Sequence, residues 1–138
     1  MITVLIHIES RFPADRTKIR DFVQNYLSQK LTGAVEVGVS IVGDRKMKQL
    51  NSHYRKLDET TDVLSFSLDD PQTSSKGAVQ SGFSPDKSAP DQVLRLGDVI
   101  VSYPQAVLEA ATANKLVDEQ VEFLIAHGLN HLMGIHHD

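Results

Sequence analysis

Near the end of the chain, in AHGLNHLMGIHHD, His127 and His131 stand four residues apart. Four residues turn a helix by about 400°, which leaves the two side chains about 40° apart around the axis and able to reach one point. Gly134 then breaks the helix and lets the backbone turn back, so that His137, three residues on, returns as a third ligand to the same point. Three neutral imidazoles leave the full charge of a zinc ion uncompensated and one coordination position open for water, whose pKa falls to about 7 in such sites. The H-x3-H-x5-H spacing is a hydrolytic centre in outline, with one Zn2+ per chain. Histidines at this spacing also occur on plain solvated helices and at frayed chain ends. Here four of the six histidines fall within the last twelve residues, around a glycine that supplies the turn. His136 points away from its neighbour in an extended geometry and is the weaker ligand candidate.

Composition narrows the chemistry further. The chain has 138 residues, 14 Lys+Arg, 18 Asp+Glu and no cysteine. Without cysteine there is no disulfide framework, no thiolate zinc cluster and no cysteine nucleophile, so a metal must be held by histidine or carboxylate. No run approaches the roughly 18 apolar residues of a membrane span, and MITVLIHIES lacks the basic region and cleavage site of a secretory signal. The expectation is a cytoplasmic protein with no membrane partner. A net charge of −4 argues at face value against nucleic acid, but the charge is unevenly placed. Residues 1–56 carry 10 Lys+Arg and 5 Asp+Glu, whereas residues 57–138 carry 4 and 13. The basic excess peaks in DRKMKQLNSHYRK, Asp44 to Lys56, with five cations and one acid. Affinity for a polyanion would therefore be local and salt-sensitive.

The same histidine spacing occurs in metzincin proteases, H-E-x-x-H-x-x-G-x-x-H, where the Glu after the first His is the general base. Here that position is Gly128. Amide hydrolysis needs a base to deprotonate the water and pass a proton to a poor amine leaving group. Phosphodiester cleavage needs an activated nucleophile and positive charge around the non-bridging oxygens, which zinc and a guanidinium supply. Arg55, at the end of the basic stretch, is the candidate guanidinium, and a merely solvated helix face is the equally weighted alternative.

The elements that must position these groups follow from periodicity. Ile2 to Ile8 is β-branched and apolar, a strand, in which His7 is an ordinary strand residue. Asp15 caps a helix from about Arg16 to Lys30, with Ile19, Phe22, Val23, Tyr26 and Leu27 on one face and Gly33 as its end. Ala34 to Val42 alternates as a half-buried strand, and a helix follows from about Asp44 to Tyr54. Thr61 to Leu68 and Leu94 to Tyr103 are further strands. Between them, Asp69 to Gln92 holds three prolines, two glycines and five serines with no chemical motif, and reads as a mobile insertion rather than a lid. Pro104 starts a helix to about Ala113, and the last helix runs from about Val117 to Met133 with Val121, Leu124, Ile125, Leu129 and Leu132 as its buried stripe. Without strict βαβ alternation, the expectation is one α+β domain over residues 1–138. It would be a small mixed sheet of about four strands packed by four to five helices, with the metal site on the C-terminal helix.

Three blocks, LNSHYRKLDETTDVLSF (Leu50 to Phe66), LGDVIVS (Leu96 to Ser102) and HGLNHLMGIHH, resemble those of the YbeY endoribonucleases in their usual order. The family's closing motif H-G-x-L-H-L-x-G-y-D-H places its metal-binding histidines on His127, His131 and His137, and its functional arginine falls on Arg55. Asn130 stands where the family has Leu, Ile135 where an aromatic is usual, and His136 where Asp precedes the last ligand. The resemblance implies a zinc-dependent endoribonuclease specific for single-stranded RNA, with His127, His131 and Arg55 in the catalytic centre. It further implies 3′-end maturation of 16S rRNA in the small subunit, late ribosome quality control and ribosome-associated protein partners. The alternatives are a metzincin-like zinc peptidase and a non-catalytic, zinc-containing ribosome-associated factor.

Overall fold

Alternation with a period of two builds the sheet. In the computed structural model, which describes residues 1–55, 61–67 and 93–134 (Tyr54 and Arg55 by backbone alone), ITVLIHI forms β1 (Ile2–Ile8) and VEVGVSIV forms β2 (Val35–Val42). These two strands pair in parallel, with Ile2 opposite Val35 and Ile8 opposite Ile41. Parallel neighbours need a crossover, and α1 (Arg16–Ser28) supplies it. β3 (Val63–Ser67) is an edge strand, antiparallel to β4 (Leu94–Ser102), which in turn lies parallel to β2. The sheet order is β1-β2-β4-β3. The helix α2 (Asp44–Arg55) follows β2, while α3 (Tyr103–Ala113) and α4 (Val117–Leu132) follow β4. The expected α+β class, the mixed sheet and four helices are thus present. The insertion expected at 69–92 lies outside the described residues. No helix among the described residues is long and apolar enough to cross a membrane.

Helix ends follow local chemistry. Asp15 is extended and its carboxylate accepts from the Lys18 N–H at 3.1 Å, satisfying one orphan donor of α1. This helix stops at Ser28, short of Lys30, with Gln29 as its cap; Gly33, expected to end it, instead sits at φ +83° in the turn into β2. Ser102 ends β4 and caps α3, accepting from the Gln105 N–H. Its hydroxyl donates to the Asp44 carboxylate, which also accepts from the Gln105 side chain, so the starts of α2 and α3 are bound together.

The two faces of the sheet carry separate apolar clusters. On one, Val35, Val37, Val39 and Ile41 of β2 meet Ile19, Val23 and Leu27 of α1 and Val121, Leu124, Ile125 and Leu129 of α4. On the other, Val42, Leu64, Phe66 and Ile100 meet Met47 of α2, with Leu50 against them. Each fully buried Leu, Ile or Met contributes about 1.5–3 kcal/mol. A register shift reconciles β4 with both faces. Glu36 pairs with Arg95 and Val37 with Gly97, so one residue is skipped and Leu96 shares a face with Val99 and Val101 despite opposite parity. Gly97 carries that bulge at φ +131°, where an added Cβ would lie 2.1 Å from the Phe66 carbonyl oxygen.

Asp98 lies on the α2 face against Gly38, whose lack of a side chain makes room for its carboxylate. Burial, and then Glu36, raise this carboxyl above its usual value of 3.8. The folded state therefore holds the Asp98 proton more tightly than the unfolded chain. The resulting stability is present below the unfolded pKa and is lost as pH rises through the folded one. Asp98→Asn should accordingly melt at a higher temperature than the parent at pH 7, with the difference closing near pH 3 in thermal scans. A second measurement concerns the helix seat at Gly128, where an added Cβ would stand 2.7 Å and 3.0 Å from the two γ-methyls of Val99. Gly128→Ala gains up to about 1 kcal/mol of helix propensity but overpacks a stiff β-branched neighbour, typically at 1–3 kcal/mol. Urea unfolding should show net destabilisation of up to about 2 kcal/mol that disappears in a Val99→Ala background.

Candidate functional site

The segment VDEQVEFLIAHGLNHL is helical because its apolar residues recur every three or four positions, and Val121, Leu124, Ile125, Gly128 and Leu129 turn onto the sheet. Asp118 and Glu119 place negative charge in the first turn, and the Glu119 carboxylate accepts from the Leu116 N–H at 3.1 Å. The helix ends after Leu132, and Gly134, at φ +80°, takes the left-handed turn expected of it. His127 and His131 lie on the flank of the buried stripe and reach solvent. Their ring centroids are 5.6 Å apart with planes tilted by 54°.

Both rings open onto a cleft of about 340 Å³ whose facing wall is the chain entering β3, Thr61 to Ser65. That wall is fixed from behind: the Ser102 N–H donates to the Asp62 carbonyl at 2.9 Å. A polar relay continues from it into both helices. The Glu109 carboxyl on α3 is raised, first by burial and then by its hydrogen bond with the Asp62 side chain. Glu109 accepts from the buried Gln120 amide at 2.8 Å, and Gln120 accepts from the Lys115 ammonium at 2.6 Å. On the far side of α4, the Tyr26 hydroxyl donates to the Asn130 side-chain oxygen at 2.7 Å, tying the turn that bears His131 to α1. None of these supports follows from periodicity. The one sequence signal for the second is the departure at Asn130, and nothing in the sequence around Asp62 marks the first.

Zinc–nitrogen bonds of about 2.0–2.1 Å put an imidazole centroid about 3.2 Å from the ion, and two rings on one tetrahedral ion about 5.2 Å apart. The observed separation fits two ligands of one such ion after a small adjustment. Among the described residues, no three His, Cys, Asp or Glu side chains are grouped to hold a metal. His136, His137 and Asp138 lie outside the described residues. Arg55 is the last residue of α2, a helix packed on the opposite face of the sheet from α4. The structure therefore brings together His127 and His131 of the four expected site residues. It also shows what occupies the place of the metzincin base. Gly128 is buried against Val99, so the position after the first histidine faces the sheet and has no space for a carboxylate.

Comparison with known proteins bears on the family and the fold. The sequence profile of the family described as endoribonuclease YbeY matches residues 6–138. An endoribonuclease YbeY of Dehalococcoides mccartyi is 42% identical over 102 residues, covering 74% of this chain and 61% of that protein. Another, from Halalkalibacterium halodurans, is 31% identical over 138 residues, covering 99% of this chain and 82% of the relative. The matched regions span 57 to 61% of the length of the three D. mccartyi relatives. The solution structure of TM1509 from Thermotoga maritima superposes with a TM-score of 0.56 at 20% identity, covering all of this chain and 75% of that one, which is a likeness of fold. By the extent of the profile match and the identity of these relatives, the chain belongs to the YbeY family.

Proposed function

We propose that the chain is a metal-dependent endoribonuclease that hydrolyses phosphodiester bonds of single-stranded RNA, with one zinc ion held by His127, His131 and His137. The observation that carries this reading is the pair of imidazoles opening onto one cleft, in a chain whose relatives bear the name endoribonuclease. Zinc bound there would supply a Lewis acid and a water acidic enough to serve as nucleophile at neutral pH. The chain's own residues then have separate tasks. His127 and His131 bind as neutral donors from one rigid helix, so their spacing is set before the metal arrives. Arg55 binds non-bridging phosphate oxygens through its planar fork and stabilises the charge that develops on them. The wall of the cleft, held by Asp62 and Ser102, limits what enters. Its volume is at the lower end of the roughly 300–1,000 Å³ of small-ligand sites, which suits an unstacked nucleotide better than a duplex. The substrate in the cell would be the 3′ region of 16S rRNA in the small subunit, in the cytoplasm and alongside ribosome-associated proteins.

The peptidase alternative lacks a base at Gly128 and room to install one. The non-catalytic zinc factor is separated by experiment. Zinc-loaded protein should cleave single-stranded RNA and spare duplex and a peptide library, and EDTA should abolish cleavage. His127→Ala or His131→Ala should lose both cleavage and the stoichiometric zinc measured by mass spectrometry. Cleavage that survives either change would sink the mechanism, whereas bound zinc without cleavage would favour the structural role. Arg55→Ala should lower turnover by about 10²–10³-fold with zinc content unchanged.

A further inference from the structure

The helix α2 presents a second polar feature on the opposite face of the sheet from the histidines. Met47 and Asn51 are buried, which fixes the inward face of the helix. Asp44, its one acid, is turned inward and engaged by Ser102 and Gln105. The outward face therefore carries Arg45, Lys48, Gln49, Ser52 and His53, all exposed, lining a groove of about 450 Å³. Arg45, Lys48 and Ser52 recur at three- and four-residue spacing along one stripe, and position 55 continues it. Among the described residues Arg45 forms no ion pair. Of the acids that the described sheet carries on this face, Glu36 lies near the start of β2, away from α2, and is paired with Arg95, while Asp98 lies at the middle of β4 against Gly38. Six residue steps separate Arg55 from Thr61 at the mouth of the histidine cleft, so the end of α2 lies within about 21 Å of it.

We infer that the outward face of α2 is a phosphate track, on which Arg45 and Lys48 hold the backbone of the same RNA strand after it passes around the β3 edge from the histidine cleft. This deepens the ribonuclease reading and rests on it for the identity of the strand. Cations along a groove with hydroxyl and amide donors between them suit a polyanion of regular spacing read without regard to sequence. The track would add affinity and salt dependence, and leave the chemistry to the cleft.

The test measures binding by fluorescence anisotropy of a labelled 2′-O-methyl oligouridylate of about 12 nucleotides, on zinc-loaded full-length chain, across a salt series. Each lost single-strand phosphate contact lowers the slope of log K against log salt by about 0.7, so the double variant Arg45→Gln/Lys48→Gln should lose about 1.4 from the slope. A control of equal charge, Arg20→Gln/Lys30→Gln on and beyond α1, should leave the slope within error. Equal losses in both variants, or none in the α2 variant, overturn the track. Polyglutamate that competes as well as polyuridylate at equal charge overturns the assignment to RNA. An unchanged slope with RNA cleavage intact defeats the track and spares the ribonuclease reading. A reduced slope in a protein that cleaves no RNA does the reverse.

Discussion

The approach of α4 to β4 at Gly128 governs the rest of the molecule. A helix seated directly on the γ-methyls of Val99 has its rotation and height set by backbone contact, not by an adjustable side chain. Once Gly128 faces the sheet, the 100° step of the helix puts His127 on the flank, and the next turn adds His131 beside it. The stripe Val121, Leu124, Ile125 and Leu129 holds this orientation through burial, and the Tyr26–Asn130 hydrogen bond anchors the last turn to α1. Two histidines borne on such a helix would be pre-arranged as ligands, sparing the proposed metal the entropy of ordering them.

The edge of the sheet divides the remaining chemistry. Because successive residues of a strand point to opposite faces, Val63 packs with the α4 cluster while Leu64 and Phe66 pack with the α2 cluster. The edge strand β3 thus supplies the cleft wall opposite the histidines and, one residue on, the seat of α2. A modest net charge conceals this division: the basic helix lies on one face and the histidine helix on the other. A strand of nucleic acid engaging both must cross the edge, where β3 is short and has no further strand beside it among the described residues.

Polar connections around the buried Ser102 and Gln120 hold the cleft wall in place. Ser102 serves as strand residue, helix cap and donor to Asp44, while its N–H holds the Asp62 carbonyl. Glu109 and Gln120 extend the support from Asp62 into both C-terminal helices.

Period-two and period-3.6 patterns, with Asp15, Pro104 and Gly134 as punctuation, determined the eight elements of the described residues to within a few residues, because each is a local preference of the backbone. The four-residue step from His127 to His131 likewise places two imidazoles side by side independently of any tertiary contact. What only the tertiary structure decided is everything that depends on residues far apart in the chain: the β1-β2-β4-β3 order, the bulge that puts Leu96 on the same face as Val99, and the burial of Gly128. The same holds for the joining of Asp62 to Glu109 and of Tyr26 to Asn130, separated by 104 residues in the latter case. No local pattern encodes them, since a glycine, an aspartate or a tyrosine has the same propensity whether or not a distant partner arrives; packing of the folded chain selects the partner.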